Sequence, residues 1–292
     1  MNQKVKDMKA PSDVNVLPKH YDELWKKMTI CKVSEHVFAY IGGGNTTAFV
    51  LPTRVVIIDA GKPIPIMEKI RHEIEAFTKK KVDTVILTHF HSDHTGAAPV
   101  FSDCTIISSD LLLKRLKEAK RKPPKGYELT FPNRTFDDQV EIKDGDIQLI
   151  VKRTGGHTDD SAYVYCPNYK VLAAGDNLIV NAYPFGAKGC NPDLWIQALE
   201  EYLSCDVEYY IPGHGPVVGK DKVKDFLDYI VEVMKVMKEL IAKRNPEKDV
   251  LKAAGDMEYC YTPSDPTRKE FYRRWKRQYL SNWYRFWKKE LY

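Results

Sequence analysis

Residues 88–96 gather His89, His91, Asp93 and His94 within six positions, in a chain that has eight histidines in all. Nitrogen and oxygen donors at that density point to metal binding. In extended backbone, residues two apart share a side, so His89 and His91 can converge on one ion as they leave a strand, while Phe90 between them cannot ligate. Asp93 and His94 fall on the turn that follows, where the chain reverses and can address a second point a short distance away. One turn could therefore feed two ions.

These donors do not complete two metal sites. Three more follow, each beside glycine: His157 after Gly155 and Gly156, Asp176 after Gly175, and His214 between Gly213 and Gly215. Each is expected just past a strand end, where glycine lets the backbone bend sharply and lets a ligand approach. His20, His36 and His72 sit in ordinary helical or strand contexts and are expected at the surface or in packing.

Positioning these groups requires a regular scaffold. Apolar runs predict strands at 37–41, 47–51, 55–58 and 82–87, the last leading directly into the histidine cluster, with a helix over 64–80 between them. A short helical turn is expected at 21–28 and a helix start at 96–100. A strand at 105–108 precedes a helix over 110–120, for which Asp110 is the expected N-cap. Hairpins follow over 140–153 and 161–176, turning at 144–145 and 167–168, and a helix over 192–203, a strand over 207–211 and a helix over 220–244 complete the pattern. The elements form two similar halves, each a hairpin followed by strand, loop and helix. Two sheets packed face to face with helices outside satisfy that order.

Composition supports one main core, with 43% hydrophobic and 29% charged residues and no low-complexity tract. The net charge of +5 is uneven: residues 267–292 hold nine Lys or Arg against two Glu, so the basic character belongs to the C-terminus and not to the body. There Phe271, Trp275, Tyr279, Trp283 and Trp287 recur every four residues and form one stripe on a helix. A docked helix or helix pair is expected. A cap over the metal cleft, a homo-oligomer contact and a cationic nucleic-acid platform are the alternatives. Six scattered cysteines without a C-x-x-C pair, no signal-peptide-like apolar stretch and no membrane-length segment predict a cytoplasmic protein. The expected organisation is a lead-in at 1–29, a catalytic domain at 30–245 and a basic, aromatic helical extension at 246–292.

H-x-H-x-D-H followed by His157, Asp176 and His214 in this order resembles the metallo-β-lactamase superfamily over roughly residues 30–245. The resemblance implies an α/β fold, the αββα sandwich, with His89, His91 and His157 around a first metal. Asp93, His94 and His214 would surround a second, with Asp176 bridging and Asp59 as the buried acid behind the ligands. Two zinc ions are implied, iron or manganese also suiting the donor set. Such a pair turns water into hydroxide near neutral pH, for which Asp93 is the residue expected to orient the nucleophile and pass on its proton. Glutamate is usual at the position of His91 in the oxygen-reducing members, which disfavours that redox class. Aspartate at 176 differs from true β-lactamases and is similar to glyoxalase II-like thioester hydrolases and lactonases. The segment around His214 departs from glyoxalase II, and Ile179 stands where acyl-homoserine lactonases place a tyrosine. The expected function is hydrolysis of an ester, thioester or lactone in a small molecule, with β-lactam hydrolysis, a metal-dependent nuclease or phosphodiesterase using the basic tail, and an iron-dependent persulfide dioxygenase with a related ligand set as alternatives. Tyr183, Phe185 and Lys188, in the loop that follows Asp176, are the expected substrate wall.

Overall fold

A strand whose residues are all apolar needs cover on both faces, and Val55–Ile58 is buried throughout. Val55 and Ile57 pack outward with Ile66, Met67, Ile70 and Ile74 of a helix. Val56 and Ile58 pack inward against residues of a second sheet, among them Leu149, Val151 and Val164. The two-residue period of the strand thus sends alternate side chains to two separate cores.

The computed structural model describes residues 15–16, 28–180, 183–184, 189–257 and 269–291, with the side chains of 15–16, 269–273 and 275 excluded. The larger sheet runs β1 (Asn15–Val16), β2 (Thr29–Ser34), β3 (Val37–Ile41), β4 (Thr46–Val50), β5 (Val55–Ile58), β6 (Val82–Ile86), β7 (Thr105–Ser109) and β8 (Arg134–Phe136). It is antiparallel from β1 to β5 and parallel from β5 to β8. The smaller sheet joins β9 (Gln139–Asp144), β10 (Ile147–Arg153), β11 (Ala162–Cys166), β12 (Val171–Ile179) and β13 (Tyr209–His214), with only β12 and β13 parallel.

Helices cover both outer faces. On the larger sheet lie α1 (Ile64–Thr78) and α3 (Asp110–Glu118), while the single turn α2 (Ser92–Thr95) follows β6 at the end of the sheet. On the smaller lie α4 (Pro192–Ser204), α5 (Lys220–Ala242), α6 (Glu247–Asp256) and α7 (Lys269–Leu291). This is the expected αββα sandwich with a C-terminal helical addition. None of the helices among the described residues is long and apolar enough to cross a membrane.

Several local expectations change. Ser109, not Asp110, caps α3 by accepting from the Leu112 N–H at 3.2 Å. The free amides of the first turn lie within reach of an oxygen one residue earlier. Asp176 lies inside β12 and His214 is the last residue of β13, rather than either standing past a strand end. Irregular β12–β13 pairing around Gly175 turns Asp176 out of the regular ladder instead. The strands β1, β2 and the short β8 are additions to the predicted pattern, α6 falls within the helical extension expected at 246–292, and the expected turn at 21–28 lies outside the described residues except for Met28.

The aromatic stripe of α7 turns into the protein. Tyr279, Trp283 and Trp287 are buried in one cluster with Trp195 of α4 and Phe226 and Ile230 of α5, while Arg277, Lys288 and Lys289 remain exposed. Trp283 packs edge to face with Trp195, ring centres 6.0 Å apart, and with Tyr279 at 4.9 Å. Phe271 and Trp275 have side chains outside the description. Trp283→Ala should cost about 3–5 kcal/mol of stability, because a fully buried indole leaves a cavity. Urea unfolding followed by circular dichroism measures it, and an unchanged midpoint would contradict the packing.

Candidate metal centre

The chain leaves β6 through Leu87 and Thr88 and delivers His89 and His91 side by side, as the two-residue period predicts. His89 Nε2 and His91 Nδ1 are 3.0 Å apart, and His157 Nε2 is 3.1 Å from that same His91 nitrogen. Asp176 Oδ2 closes the group at 3.6 Å from His89 Nε2 and 3.4 Å from His157 Nε2. Ligands about 2.0–2.1 Å from a zinc ion in a tetrahedron stand about 3.3 Å from one another, so these separations suit one cation.

A second group forms on the other oxygen of the same carboxylate. Asp176 Oδ1 is 3.1 Å from His94 Nε2 and 3.4 Å from His214 Nε2, and these two nitrogens are 3.4 Å apart. Asp93 Oδ2 stands 3.2 Å from His214 Nε2 and 3.9 Å from His94 Nε2. The seven residues singled out by sequence therefore meet, with Asp176 between the two sets. Among the described residues no hydrogen bond reaches the buried Asp176 Oδ1, although imidazole nitrogens surround it. Imidazole nitrogens and carboxylate oxygens that converge this closely around two common points fit a cation at each.

The histidines are oriented from behind. Asp59 Oδ2 accepts from His94 Nδ1–H at 2.7 Å and from the Thr88 hydroxyl at 2.8 Å, and Asp59 Oδ1 accepts from the Thr88 N–H at 2.8 Å. The Thr88 oxygen in turn accepts from His89 Nδ1–H at 3.0 Å. With both Nδ1 atoms committed to these bonds, the Nε2 atoms of His89 and His94 face the centre, each a ligand there when its ring is neutral. Asp59 itself has φ of 62°, a left-handed conformation that costs energy and that the surrounding bonds hold in place.

Three positioning residues escaped the sequence reading. The Asn45 amide donates to the carbonyls of Pro212 and Gly215 at 2.8 and 2.7 Å and so clamps the segment bearing His214. Asn177, next to Asp176, accepts from the His157 N–H at 2.8 Å and donates to the Gly155 carbonyl at 2.8 Å. Trp195 donates to the Asn177 carbonyl at 2.8 Å and sets its ring edge-on to His157 at 5.7 Å. Asparagine after glycines, or beside a ligand, is the only local signal that could have flagged the first two. Gly61 and Gly213 are required by contact alone: a Cβ would fall 1.5 Å from the Asp93 carbonyl oxygen at the first and 2.0 Å from Asp176 Oδ1 at the second.

Charge follows geometry. Burial holds the His89 pKa well below its usual value, that of His157 down at about 3, and that of His91 lowered as well, so these three are neutral lone-pair donors. Burial also opposes charge on His94 and His214, but Asp176 and a second carboxylate outweigh it, Asp59 for His94 and Asp93 for His214. His94 is raised well above its usual range and His214 to about 9. For Asp93, burial is overcome by His214 and His94, which lower its carboxyl to about 2.

The remaining expected residues are placed as follows. Tyr183 is stacked on Tyr279 of α7 at 6.4 Å, with the Lys276 ammonium 5.2 Å over its ring. Phe185 and Lys188 lie outside the described residues. The cleft over the centre, about 270 Å³, is lined by His91, Ser92, Asp93, Arg121, Asp176, Ile179 and His214. His36 and His72 are exposed and stand apart from the cluster, and His20 lies outside the described residues.

With fold and site in view, the comparisons converge. The family model described as the metallo-β-lactamase superfamily matches residues 39–214, and the chain belongs to that superfamily. A β-lactamase-like protein 2 homolog from Caenorhabditis elegans is 23% identical over 209 residues, covering 68% of this chain and 66% of its own length. A metallo-β-lactamase type 2 from Bacillus cereus is 23% identical over 219 residues, covering 70% and 82%. A hydroxyacylglutathione hydrolase from Idiomarina loihiensis is 28% identical over 128 residues, covering 43% and 42%. The structure of a metallo-β-lactamase from Pontibacter korlensis superposes with a TM-score of 0.60 at 22% identity, covering 70% of this chain and 99% of that one, which shows the shared fold.

Two outcomes test the centre. Asp59→Asn should weaken zinc binding by about 10–100-fold, since it unfastens His94 and Thr88 together; competition with a chromophoric chelator reads this, and equal affinity would remove Asp59 from the role. Zinc uptake at pH 7 should also release protons, because His94 and His214 carry them in the metal-free protein and ligation requires the neutral ring. Affinity should accordingly climb between pH 6 and about 9. A pH-independent affinity would contradict the assignment.

Proposed function

We propose that this protein is a dinuclear zinc hydrolase that opens an ester, thioester or lactone bond in a small molecule. The observation that carries the proposal is the division of Asp176, whose two oxygens each serve a separate set of imidazole donors. His89, His91 and His157 would hold one ion and Asp93, His94 and His214 the other. The donor set of imidazoles and carboxylates suits zinc, as it does iron or manganese.

When bound, a pair of such ions polarises a carbonyl and makes water acidic near neutral pH. The chain's own contribution is positional. Asp93 lines the cleft and is ionised at neutral pH, so it can only accept a proton there and fix the direction of a water's O–H. Asp59 and Thr88 keep His94 and His89 in the tautomers that leave Nε2 free. Ile179 supplies an apolar wall to the cleft, and the small volume favours a compact acyl group.

The relative named hydroxyacylglutathione hydrolase supports the thioester arm of this reading, and the Bacillus cereus relative keeps β-lactams within the substrates to be tried. A nuclease relying on the tail has less support, since Tyr279, Trp283 and Trp287 are buried in the core and cannot stack on bases.

Zinc-loaded protein should hydrolyse members of a panel of thioesters, lactones, esters and β-lactams. A chelator should abolish the activity and added zinc should restore it, while Asp93→Ala should lower kcat by about 10²–10⁴-fold. Activity insensitive to chelation, or cleavage confined to phosphodiesters, would reject the proposal.

A further inference from the structure

Arg121 stands in the wall of the cleft without having been foreseen from sequence, in the basic stretch after α3. It is half-buried. Its Nη1 donates to Thr95 Oγ1 at 2.7 Å and its Nη2 donates to the Phe90 carbonyl. Both partners belong to the turn that carries His89, His91, Asp93 and His94, and the Thr95 hydroxyl also donates to the His91 carbonyl at 2.9 Å. The guanidinium is thus fixed to the backbone of the candidate centre. Guanidinium has five N–H groups in a plane. The two bonds named occupy one on each terminal nitrogen, so donors remain for a further acceptor.

What sets Arg121 apart is its charge balance. Arg54, Arg71, Arg115 and Arg153 are also half-buried, and each has a carboxylate within 4 Å: Asp83, Asp103, Asp159 and Asp137 respectively. Among the described residues Arg121 has none, and both oxygen partners it does have are neutral. A partly desolvated cation in a cleft, held rigidly and felt by the Asp93 carboxylate only from beyond ion-pair distance, offers a seat for an anion. Its planar fork matches a carboxylate.

We infer that Arg121 selects substrates bearing a carboxylate, which it binds while the bond to be broken lies over His91, Asp93, Asp176 and His214. This deepens the hydrolase reading above and rests on it. The substrate class is a small acyl compound with a free carboxylate at the end remote from the scissile carbonyl, such as the thioester of a dicarboxylic acid. Ser92 and Ile179, the other cleft-lining residues outside the metal-binding set, offer no competing charge.

The test compares two thioesters of N-acetylcysteamine that differ in one group, succinyl and succinamoyl, on zinc-loaded protein. Wild type should favour the carboxylate substrate in kcat/KM by about 10–100-fold, the range of a charge-assisted hydrogen bond. Arg121→Gln should bring that ratio close to one, mainly through KM, and Arg121→Lys should recover part of it. A role confined to bracing Phe90 and Thr95 would depress both substrates alike and lower the zinc content, leaving the ratio intact. That outcome, or a wild-type ratio near one, overturns the inference. Should wild type cleave neither thioester, the hydrolase reading fails for this class. Calorimetric binding of succinate against succinamate to the zinc-loaded protein then decides Arg121 separately: a preference for succinate lost in Arg121→Gln supports the seat, and a preference that survives the substitution removes it.

Discussion

The carboxylate of Asp176 is buried in the seam between two sheets, and the surrounding architecture is arranged to make that tolerable. An isolated ionised carboxyl in such a place would take up a proton or disrupt the fold. Here His214, His94 and His89 overcome the effect of burial and hold the Asp176 carboxyl well below its ordinary range. The cost is transferred to the histidines, which must in turn be oriented and neutralised, and Asp59 with Thr88 does this on one side. The left-handed backbone at Asp59, the side-chain-free positions at Gly61 and Gly213, and the amide clamps of Asn45 and Asn177 all follow from packing so many polar groups around one acid.

The histidine-rich turn and the three later donors were legible because ligand chemistry restricts residue type and because strand geometry restricts spacing. Likewise the uninterrupted run Val55–Ile58 announced a strand buried on both faces. Less legible were features whose logic is long-range. Asn45 reads locally as a turn residue after three glycines, yet its amide bonds lie 167 and 170 positions away. Arg121 reads as one cation in a basic stretch, and only the fold brings it to the cleft. The cap of α3 shows a smaller failure: Ser109 and Asp110 are both good capping residues, and which one caps depends on where β7 releases the chain. The edge strand β8 has three residues and no distinctive pattern, so nothing in its composition marks it.

The C-terminal helix illustrates how one pattern can carry a misleading surface reading. Aromatic residues every four positions among many cations suggest a face waiting for a partner. The partner is the protein's own α4 and α5, and the stripe extends the outer core of the smaller sheet. That core is continuous with the centre, since Trp283 touches Trp195 and Trp195 touches His157. Packing on the far side of the helix layer therefore bears on the orientation of a ligand-type histidine, through these ring contacts and through the hydrogen bonds that Asn177 makes with both Trp195 and His157.

The placement of the donors on opposite sheets bears on how the molecule comes apart. His89, His91, Asp93 and His94 follow β6, whereas His157, Asp176 and His214 belong to β10–β13. A cation held by both groups would be a rivet across the sandwich, its bonds forming only once the two layers had closed. Such contacts are absent from an early, half-assembled transition state, so they act on escape from the native state more than on arrival at it. The metal-bearing protein would then owe its lifetime to slow opening of the seam rather than to rapid folding.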